Sequence, residues 1–258
     1  MRGKPVPKHP LAEVFGFPID NDSLDAIRYR KKRLCPFNNN SPNCTKDKVT
    51  HPFGVCSVHD GQEIAIPCPV RFRQDWLIAD DAAAFFFPPN ATWTSLVEVR
   101  WKDKDGLPTD NIDVVLVSYD DRGRVTDFGG IEILAMYKSK DAGRKLSSSF
   151  RSTRTDSFEP GKQIYRVPDL FSASTELLLS LNSKLRALQT WNKKLAIVID
   201  SVCFDRLPRL KEEEVSKADI IWLVYTLQRN ESAETYNLTH AKSVYMSSTV
   251  IGEILTGY

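Results

Sequence analysis

Two acids in the middle of the chain stand where a carboxylate is costly. Asp113 opens the apolar run Val114-Val115-Leu116-Val117, and Glu132 lies within Gly129-Gly130-Ile131-Glu132-Ile133-Leu134-Ala135-Met136. Both runs have the length and alternation of β-strands, and Asp120-Asp121-Arg122-Gly123 supplies turn chemistry between them. Ile131, Ile133 and Ala135 alternate with Glu132, Leu134 and Met136, so Glu132 shares a strand face with Leu134. A carboxylate in each of two neighbouring apolar strands needs a partner. A hard divalent cation is one, since Mg2+ is usually held by one or two carboxylates together with phosphate oxygens. The alternative is that both acids lie at strand ends in water.

The second cluster with chemistry in it is earlier. Cys35, Cys44, Cys56 and Cys68, four of the five cysteines, fall in one turn-rich segment with few large apolar residues. In a reducing compartment such thiols point to one tetrahedral metal site, with zinc the ordinary occupant and iron also compatible with thiolate. Two disulfides or plain thiols are the alternatives. The spacings are wider than the paired Cys-x-x-Cys knuckle, and His51 or His59 could replace one ligand. Cys203 continues the apolar run Ala196-Ile197-Val198-Ile199 and reads as a buried thiol.

The elements that must position these groups follow from the rest of the chain. Trp76 to Phe87 is apolar and stops at Pro88-Pro89, the junction into the core; the chain is divided into an N-terminal region, 1–75, and a core region, 76–258. Asn90-Ala91-Thr92 predicts the cap of a helix from about Trp93 to Trp101; on it Glu98 either touches a second metal or faces solvent. Leu177, Leu181, Leu185 and Leu188 predict an amphipathic helix ending near Trp191 and leading into a buried strand, Leu195–Ile199. That is a strand–helix–strand crossover onto a mixed sheet. A strand at Ile220–Leu227, a last one around Ser243–Met246 and a short terminal helix complete an α/β order.

Thirty-five basic and 33 acidic residues leave a net charge of +2, so distribution matters more than total. Two stretches are basic. Arg28-Tyr29-Arg30-Lys31-Lys32-Arg33 is either a solvated helix end or a phosphate-binding patch. Between Lys138 and Arg154, six basic residues face Asp141 alone, and Arg144, Lys145, Arg151 and Arg154 are among them. A loop of that charge leaving the strand of Glu132 suits DNA phosphates and guanine edges, with an exposed charged loop as the alternative. The first ten residues are basic without a following apolar region, which does not suit a secretory signal, and no apolar run reaches membrane-spanning length. A cytoplasmic protein, where disulfides are not expected, is the reading.

Glu13-Val14-Phe15-Gly16-Phe17, Cys35-Pro36-Phe37, Cys44, Gly54-Val55-Cys56 and Cys68-Pro69-Val70-Arg71 together resemble the N-terminal metal-binding region of the NotI-type restriction endonucleases. Ile112-Asp113 and Gly130-Ile131-Glu132-Ile133 with Met136 resemble that family's two catalytic strands, and a looser likeness runs from Leu170 to Tyr225. The resemblance implies a PD-(D/E)XK nuclease-like mixed central sheet flanked by helices, with a small N-terminal four-cysteine metal-binding module facing DNA. It implies a type II enzyme cutting double-stranded DNA with Mg2+ on Asp113 and Glu132, and iron at Cys35, Cys44, Cys56 and Cys68. A homodimer on a GC-rich palindrome follows, with a cognate DNA methyltransferase as functional partner. Arg71, Lys138, Arg144, Lys145, Arg151 and Arg154 would contact DNA. One position departs from the pattern. Two residues after the second acid, where the superfamily has Lys and the NotI type looks to have Gln, this chain has Leu134. Either the metal suffices, a lysine reaches in from elsewhere (Lys138 is nearest), or the nuclease is weakened. A DNA-binding protein without cleavage and an unrelated cytoplasmic protein with structural zinc remain the rival readings.

Overall fold

The structure is a computed structural model that describes residues 9–38, 41–44, 54–99, 111–135, 181, 184, 185, 188–207, 209 and 211–248. Its centre is a six-stranded mixed sheet. Strand β6 (Ile112–Tyr119) and strand β7 (Val125–Leu134) form an antiparallel pair joined by the Asp120–Arg124 turn. Asp120 fastens that turn by accepting from the Arg122 and Arg124 amides. Strand β5 (Thr92–Val99) adds to the outer edge of β6, antiparallel. On the other side β7 runs parallel to β8 (Leu195–Asp200), and β8 parallel to β9 (Ile220–Asn230), which turns back into β10 (Thr235–Met246). The order is β10-β9-β8-β7-β6-β5. The parallel β7–β8 step is the crossover that the helical spacing predicts.

The stretch predicted as a helix from Trp93 is strand β5 instead. Its residues alternate between exposed Thr92, Thr94 and Leu96 and half-buried Trp93, Ser95 and Val97. That is a period of two, built from β-branched and aromatic residues, and pairing along β6 outweighs the cap-like Asn90-Ala91-Thr92. Glu98 is therefore a strand residue.

Each sheet face carries its own core. Helix α2 (Leu77–Phe86) covers one, with Ile78, Ala82, Phe85 and Phe86 packed on Val114, Leu116, Ile131, Ile133 and Val198. On the other, helical residues at 181, 184, 185 and 188–190 cover the sheet, and Leu181, Leu185 and Leu188 share a core with Val115, Leu134, Ile197 and Ile199. Among the described residues these two layers are the flanking helices. Two glycines inside β7 let both layers close. A Cβ on Gly129 would come within 2.5 Å of the Phe86 ring, and one on Gly130 within 3.1 Å of Leu188.

The N-terminal region has a four-stranded sheet of its own, in the order β2-β1-β3-β4, where β1 is Leu11–Val14, β2 Phe17–Pro18, β3 Val55–Asp60 and β4 Glu63–Ala65, with helix α1 (Leu24–Lys32) beside it. The predicted terminal helix lies outside the described residues. Among the described residues no helix is long and apolar enough to cross a membrane.

Candidate active site and cysteine cavity

The β6–β7 register brings the two acids near one another. Val114 pairs with Ile131 at the end of the ladder, and Asp113 and Glu132 are the next residue on each strand. Val115 and Val117 lie on the crossover-helix side of β6, and Leu134 on the same side of β7. Glu132, two residues before Leu134, is on that side too. Two carboxylates brought near one another repel, and each of these has a donor. Asp113 Oδ2 accepts the Ile133 amide at 2.9 Å, and Glu132 Oε1 accepts from the ammonium of Lys184 on the crossover helix. Glu132 and Lys184 are only 4% and 6% exposed.

Lys184 is the residue beside Glu132 that the sequence reading misses, yet its signal was present. It stands three residues after Leu181 and four before Leu188, inside the apolar stripe of the helix. Its height over the sheet follows from packing. Leu188 seats on Gly130; one turn earlier, about 6 Å along the helix, comes Lys184. Two residues after Gly130, about 6.6 Å along the strand, comes Glu132. Leu134 shares that strand face, as expected, but is packed with Leu181 and Leu185 beneath the same helix.

A third acid at this end of the sheet has a different task. Asp200 ends β8 on the α2 side, fully buried, and accepts the Cys203 amide at 3.0 Å as the cap of a short helical turn, Ser201–Phe204. Burial raises its pKa.

The four N-terminal cysteines line one cavity of about 10 Å³, with Phe15, Leu34, Val55 and Val70. An antiparallel bridge between Leu34 and Asn43, with the Cys35 amide donating to Pro42 and the Cys44 amide to Arg33, sets Cys35 and Cys44 on neighbouring stretches of chain. Cys56 lies on β3, and Cys68 precedes a 3-10 segment, Pro69–Trp76. The glycines of the segment are conformationally required. Gly54, at φ +71°, passes under the Phe15 ring, where a Cβ would approach to 2.4 Å; Gly16, at φ +85°, meets Pro36. No two of the five cysteines are joined. Burial first, then neighbouring Cys68 and Cys44, push the Cys35 thiol up to about 11, and burial with Cys68 raises Cys56 as well. Among the described residues no three His, Cys, Asp or Glu side chains are grouped tightly enough to hold an ion as they stand. The thiols thus share a cavity without being closed onto a centre. His59 lies on β3 but does not line that cavity, and His51 is outside the described residues.

Arg71 corrects an expectation. It is fully buried rather than turned to a nucleic acid. Its Nε donates to Glu13, at 3.0 Å to Oε2, its Nη1 to Gln74 at 2.7 Å and its Nη2 to the Tyr236 carbonyl at 2.8 Å. The guanidinium also lies 4.2 Å over the Phe37 ring. Each of the three guanidinium nitrogens donates within the fold, and this arginine ties β1 to β10. Lys138, Arg144, Lys145, Arg151 and Arg154 lie outside the described residues.

A family model described as restriction endonuclease NotI matches residues 13–238, which is most of the chain. No curated protein matches it.

Proposed function

Because the chain belongs to the NotI restriction endonuclease family and is on that membership a DNA hydrolase, we propose that it is a type II enzyme whose PD-(D/E)XK-like core cuts both strands of a GC-rich palindrome. The observation that carries this reading is the pair Asp113 and Glu132, near one another at the end of the β6–β7 ladder, with a buried ammonium against Glu132. Two carboxylates from neighbouring strands fit a Mg2+ ion that takes its other ligands from phosphate and water. When bound, the cation polarises the scissile phosphate and offsets charge on the leaving oxygen. The chain's own part is to hold that geometry. The Ile133 amide fixes the Asp113 carboxylate, and the packed crossover helix excludes water from one side of Glu132.

Four thiols on one small cavity form a donor set suited to iron or zinc, with iron favoured by the family likeness, and the ion would close the N-terminal region. The basic loop from Lys138 to Arg154 would bind DNA. Cutting two strands of a palindrome suits a two-fold homodimer, one site per strand. The enzyme would act in the cytoplasm, beside a methyltransferase that protects the host's own sites.

The test is incubation of the purified protein with unmethylated plasmid and Mg2+. Discrete fragments are expected, and Asp113→Ala and Glu132→Ala should each slow cutting by about 10²–10³-fold while leaving DNA binding in Ca2+ intact. Specific binding without cutting in both Mg2+ and Mn2+ would make it a DNA-binding relative.

A further inference from the structure

We propose that Lys184 is the catalytic lysine of this site, supplied from the crossover helix while Leu134 occupies the strand position beside Glu132. The inference rests on the nuclease reading above and adds a residue to it. Three observations carry it. The ammonium is almost fully buried in an apolar helix stripe, where a leucine would pack without the desolvation cost of a charge. It touches Glu132 Oε1, and the Asp113 carboxylate lies nearby, accepting the amide of Ile133, the residue after Glu132. Leu134 lies in the leucine core under the helix, so the strand itself presents no cation there.

An ammonium has three N–H donors, and Glu132 Oε1 takes one. A group so placed can donate to the attacking water oxygen and to a non-bridging phosphate oxygen as negative charge grows on both. In the step, the water oxygen bonds to phosphorus and the bond to one bridging oxygen breaks. The water's proton leaves to solvent, and solvent protonates the departing oxygen. Lys184 keeps its protons throughout and acts by hydrogen bonding and charge.

The competing role is that of a counter-ion, which only neutralises Glu132 until a metal arrives. The two roles differ at saturating Mg2+ and DNA. For Lys184→Met, single-turnover cutting should fall by about 10²–10³-fold, while calorimetric Ca2+ affinity and DNA affinity in Ca2+ match or exceed those of the unaltered protein. An unchanged or faster rate would show a counter-ion and overturn the proposal. Should Lys184→Met lose its folded circular dichroism, Leu134→Lys combined with Lys184→Met carries the test, since it restores an ammonium to the same face from the strand. Cutting by that double variant within about tenfold of the unaltered rate supports the assignment. A double variant that folds, binds Ca2+ and DNA and does not cut overturns it. If the unaltered protein cuts no duplex at all, the nuclease reading fails and this proposal falls with it; if it cuts equally well without Lys184, only the lysine's role fails.

Discussion

Two buried ion pairs set the character of this protein residue by residue, and they do different work. Lys184–Glu132 lies at the acid pair, whereas Arg71–Glu13 lies in the N-terminal region with Ser57 Oγ donating to the same carboxylate at 2.8 Å. Removing one partner of a buried pair strands the other charge and costs about 3–5 kcal/mol, while replacing both by apolar groups is often neutral. Arg71→Met is therefore expected to lower the stability measured by urea unfolding by that much. Glu13→Met combined with Arg71→Met should recover a large part of it, and failure to recover would mean that the Gln74 and Tyr236 bonds carry the loss. Residue type also decides what the sequence could show. Asp113 and Glu132 were legible because a carboxylate in an apolar strand is conspicuous. Lys184 was not, because lysines on a helix are read as solvent-facing unless the stripe is counted position by position. Arg71 misled for a related reason: its partner Glu13 is 58 residues away in the chain.

Among the elements, β7 is the one on which the site depends. It is pressed from both faces, by Phe86 on Gly129 and by Leu188 at Gly130. The Gly129-Gly130 pair marks a strand start in the sequence, but in the fold β7 begins four residues earlier, at Val125, and the glycines are packing positions. Adding volume at Gly129 meets an aromatic ring held among other buried side chains. Gly129→Ala is expected to cost about 1–3 kcal/mol in chemical denaturation, because Phe86 must leave its seat. A variant as stable as the unaltered protein would show that Phe86 can move at no cost. The β6–β7 hairpin could be read because its turn and its alternation agree. Strand β5 could not, because a cap-like Asn90-Ala91-Thr92 precedes it and only pairing with β6 decides between the two forms.

At the scale of the whole molecule, the N-terminal region and the sheet are fastened at many points. Asn21 donates to the Glu234 carbonyl at 2.7 Å, Gln74 accepts the Leu238 amide at 2.9 Å, and Asp20 and Asp60 pair with Arg229 and Arg206. If the four thiols take one ion, its loss should loosen this region first. Cys44→Ser is accordingly expected to lose the iron or zinc measured by elemental analysis and to lower the melting temperature; full occupancy in that variant would remove Cys44 from the ligand set. A larger consequence concerns the division at residue 75, which the composition suggests. Ile66 and Phe72 are fully buried in the same core as α2, β6, β7 and β9, and Ile64 and Trp76 pack against it. Phe72 meets the Tyr225 ring edge-on, with centroids 6.3 Å apart. Deleting residues 1–75 would uncover that face of α2 and β9 and strip two large side chains from the core. Losses of this kind cost about 2–5 kcal/mol per large side chain, against a total stability of about 5–15 kcal/mol for a typical domain. A fragment of 76–258 is thus expected to lack a cooperative unfolding transition and fixed near-ultraviolet dichroism. If it instead melts cooperatively and binds duplex DNA in Ca2+, the cysteine region is an attachment to an independent nuclease core rather than a part of it.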